Sequence, residues 1–189
     1  MTKNLIESLR TLLTADPEFL GMLEAVRALA LSDGFLTAGV IRNRVWDHLH
    51  GYGSPTPLND IDVIYLDPRD LDETSEKRFE AALREQLPKH PWSVKNQARM
   101  AVRNGDPPYR SITEALKHWC ETPTAVAVRM NADHGLEILA PFGLADLFGL
   151  IVRPTPFALT HSRKLAQYRQ RMTKKNWPRR WPRIRVQEL

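Results

Sequence analysis

Asp60 and Asp62 stand one residue apart at the head of an apolar run formed by Ile61, Val63, Ile64, Tyr65 and Leu66. In a strand, residues i and i+2 share a face, so both carboxylates would converge while Ile61 and Val63 turn the other way. Two like charges held that close repel each other, and a bound Mg²⁺ or Mn²⁺ is the simplest compensation. The same pair would also suit the solvated start of a strand, because Pro55, Pro57 and Asn59 place a turn just before it. A third acid, Glu137, interrupts the apolar stretch from Leu136 to Ala140. An unpartnered buried carboxylate is costly, so Glu137 either faces water on an edge strand or meets a cation. If its strand lay beside that of Asp60, three carboxylates would meet. They could hold two metal ions about 3.5–4 Å apart, which clamp the attacking and leaving oxygens of a phosphoryl displacement.

These carboxylates need elements to hold them. Leu5, Leu9, Leu12 and Leu13 keep helical spacing, and Asp16-Pro17 announces a second helix running to about Leu31. Phe35-Leu36-Thr37 reads as a short strand leading into Ala38-Gly39. Val40 to His50 then reads as a helix with Val40, Val45, Trp46 and Leu49 on its apolar face, ended by Gly51. The loop from Gly51 to Asn59 delivers the aspartates. Downstream, Asp72 to Leu87 is predicted helical, with Phe79, Leu83 and Leu87 inward and a solvated charged face. Trp92 to Asn96 alternates as a strand, and Ser111-Ile112-Thr113-Glu114 is a capping box opening a helix through Trp119. Thr124 to Met130 and Leu136 to Leu139 pair as a hairpin across Asn131-Ala132-Asp133. Helical segments follow near 143–149 and 157–173. Trp177-Pro178 through Trp181-Pro182 cannot continue a helix.

A length of 189 residues, 42% hydrophobic and 26% charged, fits a globular α/β protein with a sizeable core. No run approaches the roughly 18 apolar residues of a membrane span, and the N-terminus lacks a signal-peptide core, so a cytoplasmic location without membrane contact is expected. The single cysteine, Cys120, excludes an intrachain disulfide and a cysteine-cluster zinc site. Net charge is +5, but residues 161–189 hold ten Lys or Arg against one acid, Glu188. That leaves 17 basic and 21 acidic residues in 1–160, a net charge of −4. Such segregation suits a polyanionic partner such as RNA or nucleotide phosphates, or a solvated basic extension. Trp177 and Trp181 could stack on bases or pack the tail back onto the body. Phosphate loops of the Gly-x-x-x-x-Gly-Lys type and Gly-x-Gly-x-x-Gly turns are missing, which removes two common nucleotide-binding architectures. His48 and His50, two apart on a helix, point to different faces and make a poor metal pair.

The run Leu36-Thr37-Ala38-Gly39-Val40-Ile41-Arg42-Asn43, followed by Asn59-Asp60-Ile61-Asp62-Val63, resembles the signature of the polymerase-β-like nucleotidyltransferase superfamily. In style it is most similar to the head domains of CCA-adding enzymes and bacterial poly(A) polymerases. There the turn is Gly-Gly and the helix opens Ala-Val-Arg-Asp. Ala38-Gly39 occupies the Gly-Gly position, Arg42 that of the arginine and Asn43 that of the aspartate. Together with Asn96-Gln97-Ala98-Arg99-Met100, Gly105 to Ser111, Thr124 to Arg129 and Ala140 to Leu144, most of the chain resembles a small bacterial nucleotidyltransferase family.

The resemblance implies a mixed β-sheet nucleotidyltransferase core with flanking helices over residues 1–160, with 161–189 as a basic helix and tail of the same domain. It implies Asp60, Asp62 and Glu137 as catalytic metal ligands for Mg²⁺ or Mn²⁺, and Ala38, Gly39, Arg42 and Asn43 at the nucleoside triphosphate, ATP among the candidates. Physically, Gly39 lets the backbone approach phosphates, the helix start offers free N–H groups, and Arg42 can fork onto phosphate oxygens. Asn96 and Arg99, at a strand's end, are possible substrate contacts or turn-forming residues. The expected activity is transfer of a nucleoside monophosphate to an unidentified acceptor hydroxyl with release of pyrophosphate. The alternative is a catalytically inactive nucleotide- or RNA-binding module of the same fold.

Overall fold

The computed structural model describes the backbone of residues 2–187 and the side chains of residues 4–187. Helices α1 (Thr2–Thr14) and α2 (Pro17–Ala28) open the chain. Asp16 caps α2 by accepting the Phe19 N–H at 3.1 Å, and Pro17 sits in its first turn, where no N–H is needed. Next come β1 (Phe35–Thr37), α3 (Gly39–His50), β2 (Ile61–Tyr65), α4 (Glu73–Gln86) and β3 (Trp92–Asn96). They are followed by α5 (Gln97–Asn104), α6 (Ile112–Lys117) and the hairpin β4 (Ala127–Met130) and β5 (Leu136–Leu139). The sheet runs β3-β2-β1-β4-β5. Only β2 and β3 are parallel, because α4 supplies the crossover that returns the chain in the same direction. The remainder comprises α7 (Ala145–Phe148), β6 (Ile151–Val152), α8 (Pro156–Thr160), α9 (Ser162–Lys175), α10 (Trp177–Arg180) and β7 (Arg185–Val186), with β7 parallel to β6.

Strand alternation sorts the sheet's side chains. Leu36, Ile61, Val63, Val94 and Val128 face the main core, where Leu9, Leu13, Phe19 and Trp46 pack against them. Trp177, Trp181 and Ile184 join that same core, so the basic C-terminal segment is anchored there. The opposite face carries Phe35, Ile64 and Ala127 under Ile112 and Leu116 of α6. By parity Asp62 belongs to this second face, opposite Thr37 of β1.

Several elements differ from expectation for local reasons. Helix α2 stops at Ala28, and β2 begins at Ile61, which leaves Asp60 in the preceding loop. Helix α5 starts where β3 ends, with the Asn96 side chain accepting the Ala98 N–H at 3.0 Å. The charged face of α4 is only partly solvated: Glu73, Lys77 and Arg84 are exposed, whereas Glu76 and Glu80 are buried and meet Lys95 Nζ at 3.3 and 3.2 Å. Pro178 lies in the first turn of the short helix α10, the one helical position a proline tolerates, so Trp177–Arg180 does turn helically. Among the described residues no helix is long and apolar enough to cross a membrane.

Candidate active site

The turn between β1 and α3 sets the site's centre. Ala38 has φ 61° and ψ −124°, the geometry of the first central residue of a type II′ turn, which normally takes glycine. Its carbonyl accepts from Ile41 and Arg42, so α3 begins immediately and leaves its first N–H groups without intrahelical partners. A methyl group added at Gly39 would meet Arg42 Nη2 at 3.5 Å and Leu58 Cδ2 at 3.6 Å, ordinary contacts. Gly39 is buried but lines the adjoining cleft. That cleft, of about 650 Å³, is lined by Gly39, Asn43 and Asp60 together with Lys174, Lys175 and Arg180.

Asp60 is exposed in the loop and opens onto this cleft, whereas Asp62, one residue into β2, opens onto a second cavity of about 290 Å³. Ala38, Glu121, Thr124 and Arg171 line that cavity with it. Burial first, and then the nearby charge of Asp60, push the Asp62 carboxyl up to about 6; Arg42, Arg171 and Lys175 oppose the rise. An acid whose folded pKa is raised contributes stability that is full below its unfolded pKa, near 4, and lost as pH climbs through 6. Asp62→Asn should therefore raise stability at pH 8 by about 1–3 kcal/mol, with the gain vanishing near pH 4. Calorimetry of both proteins at the two pH values tests this; an equal loss at both would refute it.

Glu121, which carried no periodic signal in the sequence, is 1% exposed. It accepts Arg171 Nη2 at 2.5 Å and Nε at 3.1 Å, and the Thr124 hydroxyl at 2.9 Å. Arg42 is also buried, its guanidinium lying 4.5 Å from the Trp177 ring and 5.1 Å from Trp46. Its Nη2 donates to Asn43 Oδ1 at 2.8 Å, while Nε has no partner among the described residues. Burial pulls its pKa down to about 10, so it stays charged at neutral pH; Glu121, Asp62 and Asp60 all favour that charge. Asn43 donates in turn to Thr56 at 3.3 Å and so ties the loop before Asp60 to α3. Asp47 adds a second tie, accepting the Thr56 N–H at 2.8 Å and Trp181 Nε1 at 2.7 Å.

Three expected residues lie elsewhere. Glu137 sits on β5, which is separated from β2 by β1 and β4, a span of roughly 14 Å at strand spacing. It accepts Arg129 Nε at 2.8 Å, and Arg129 also bonds Asp33, so its cation is an arginine of the neighbouring strand. The hairpin with β4 was legible in the sequence, but not that β1 and β4 would stand between β5 and β2. Asn96 is fully buried, donating to the carbonyls of Asp67 and Asp70, and Arg99 forks onto Glu76 at 2.6 and 2.8 Å. Both hold α5 against α4 and the loop after β2. Among the described residues no three of His, Cys, Asp and Glu cluster as a ready metal cage.

The chain matches the nucleotidyltransferase family over residues 24–186. An NMR structure described as revealing a CCA-adding enzyme head domain superimposes with a TM-score of 0.87 at 31% identity, covering 97% of this chain and 96% of that one. A CCA-adding enzyme in complex with CTP gives a TM-score of 0.59 at 16% identity, over 94% of this chain and 43% of that one. The Thermotoga maritima CCA-adding enzyme complexed with tRNA gives 0.57 at 17% identity, over 94% and 42%. This chain spans less than half the length of those two enzymes, and its likeness to them is one of fold. No curated protein matches it. With its Asp-x-Asp strand start beside the β1–α3 turn, its five-stranded mixed sheet and these matches, the chain belongs to the nucleotidyltransferase family and has the fold of a CCA-adding enzyme head domain.

Proposed function

We propose that the protein is a divalent-metal-dependent nucleotidyltransferase that moves a nucleoside monophosphate from a nucleoside triphosphate to an acceptor hydroxyl. The observation that carries this reading is the placement of the two aspartates about the turn that starts α3: Asp60 opens onto the cleft that Gly39 lines, and Asp62 onto the cavity that Ala38 lines. The donor set fits a hard cation: two carboxylates, one of them driven toward its neutral form by burial and by the other's charge. Mg²⁺ commonly takes one or two carboxylates and completes its shell with water and substrate phosphates, so a third acid is not required. When bound, Mg²⁺ or Mn²⁺ would neutralise charge on the phosphates and on the attacking and leaving oxygens.

The chain's own residues divide the remaining work. The backbone at Gly39, which lines the cleft, and the free N–H groups of α3 receive phosphate oxygens. Arg42, buried between two tryptophans and held by Asn43, supplies a fixed positive potential behind them. Arg171 and Glu121 form a rigid wall on the Asp62 side, where an acceptor would lie. The acceptor oxygen bonds to the α-phosphorus as the bond to the pyrophosphate oxygen breaks, and the acceptor's proton passes to solvent water. Solved CCA-adding enzymes of this fold bound to CTP and to tRNA support a nucleotide at the site. A second reading, a nucleotide-binding module without catalysis, gains weight from Ala38, which holds a glycine conformation at the turn's centre.

The test is incubation of the protein with all four nucleoside triphosphates, Mg²⁺ or Mn²⁺ and cell extract. Mass spectrometry then looks for a transferred nucleoside monophosphate and for pyrophosphate. Metal-dependent transfer that disappears in Asp60→Asn supports the enzyme. Tight metal-dependent nucleotide binding with no product from any extract supports the inactive module.

A further inference from the structure

We infer that the C-terminal segment around Asn176 is the polyphosphate clamp of the nucleotide cleft, with Lys174, Lys175, Arg179 and Arg180 gripping the β- and γ-phosphates opposite the start of α3. The inference rests on the nucleotide-transfer reading and assigns the cations that reading lacks. Arg42 is packed between aromatic rings and bonded to Asn43, so it supplies a single fixed cation in the cleft wall.

Four observations converge. All four basic side chains line the 650 Å³ cleft that contains Gly39 and Asp60. None of them forms an ion pair among the described residues, whereas two basic residues of α9 that line the second cavity are paired, Lys164 with Asp106 and Arg171 with Glu121. Unpaired cations gathered on one concavity repel one another, and a polyanion relieves that repulsion. Asn176 adopts a left-handed conformation, φ 42° and ψ 50°, which turns the chain between α9 and α10 so that residues on both sides of it border the same cleft. Finally, Arg42 is 7% exposed, lines this cleft and forms no ion pair among the described residues, so its charge adds to that of the cluster.

The segment is also rigidly mounted. Trp177 and Trp181 pack edge-on against Trp46 with ring centroids 5.4 and 5.1 Å apart, and the Tyr52 hydroxyl donates to the Arg180 carbonyl. Fixed cations lose less entropy on binding than a floppy basic tail would. RNA is the other polyanion such a segment could hold, but single-strand binders commonly add exposed rings for base stacking to their charged groove. Here Trp177 and Trp181 are 4% and 1% exposed, and the charges converge on one pocket instead of tracking a strand.

The experiment is isothermal titration of the full chain with Mg²⁺·tripolyphosphate, with each Mg²⁺·nucleoside triphosphate and with a 12-nucleotide single-stranded RNA. It compares wild type, Lys175→Gln/Arg179→Gln and the control Arg169→Gln. The substituted side chains are exposed, so the fold should survive, and Trp fluorescence melting checks that it does. The clamp predicts that the double variant weakens tripolyphosphate and triphosphates alike by about ten- to a hundredfold, with Arg169→Gln within twofold of wild type. The inference is overturned if wild type binds neither tripolyphosphate nor any triphosphate, if the double variant binds as wild type does, if the control loses as much, or if only RNA affinity falls. The two readings fail separately. Transfer with an unchanged KM in the double variant sinks the clamp alone, whereas clamp-dependent triphosphate binding without transfer from any extract sinks the enzyme alone.

Discussion

Asp60→Asn is expected to slow nucleotidyl transfer by about a thousandfold or more while leaving unfolding within about 0.5 kcal/mol of wild type. Asp60 is exposed and lies in the loop before β2, so the fold asks little of it. The reaction asks much. Charge neutralisation at a phosphoryl centre is worth several kcal/mol, and each 1.36 kcal/mol is about tenfold in rate. Asparagine keeps the shape and a carbonyl oxygen but removes the charge. Asp62→Asn should lose transfer to a similar degree while gaining stability at alkaline pH, because the burial that raises its pKa penalises the charged form. A pair of adjacent substitutions with equal kinetic loss and different thermal effects would be hard to explain by general disruption. Single-turnover rates beside calorimetric melts measure both; transfer within tenfold of wild type in Asp60→Asn would remove it from the machinery.

The largest stability effect should come from Trp181→Ala, a loss of about 3–5 kcal/mol. Trp181 is 1% exposed, packs on Trp46 and donates Nε1–H to Asp47 at 2.7 Å. Alanine leaves a cavity and strips a buried carboxylate of one partner, both among the costlier single changes. For a chain of this size the fall in Tm should be roughly 10 °C. Asp47 also holds the loop before Asp60 through the Thr56 N–H, so nucleotide affinity should drop as well. A Tm within about 2 °C of wild type would mean that the tail is not fastened to α3 as described.

How far the sequence disclosed this arrangement depended on whether a residue's surroundings were local. The β1–α3 turn, the Gly51 helix end, the Asp16 cap and the β4–β5 hairpin follow from short-range signals, and they stand in the structure. Glu137 could not be placed, because alternation fixes a residue's face while sheet order is decided by distant pairing. Glu76 and Glu80 read as solvent-facing, since nothing within α4 announces that Lys95 and Arg99 cover them. Glu121 lay in an aperiodic stretch beside Pro123, and Arg171 was one of ten basic residues with no local mark to separate it from the rest. Asn96 and Arg99 pointed toward a substrate only while the chain beyond β3 was taken as a strand's end; once α5 begins there, they become cap and anchor.

The docking of the basic segment onto α3 also carries a consequence for the order of assembly during synthesis. A nascent chain that has released residues 1–160 carries a net charge of −4 and already holds Gly39, Asp60 and Asp62, but none of Lys174, Lys175, Arg179 and Arg180. The acidic body and the basic segment attract each other, so the last-made wall of the cleft is drawn onto the first. The lopsided charge that suggested a foreign polyanion in the sequence would thus act first within the chain. Nucleotide capture would come only after that segment has left the ribosome and closed the cleft.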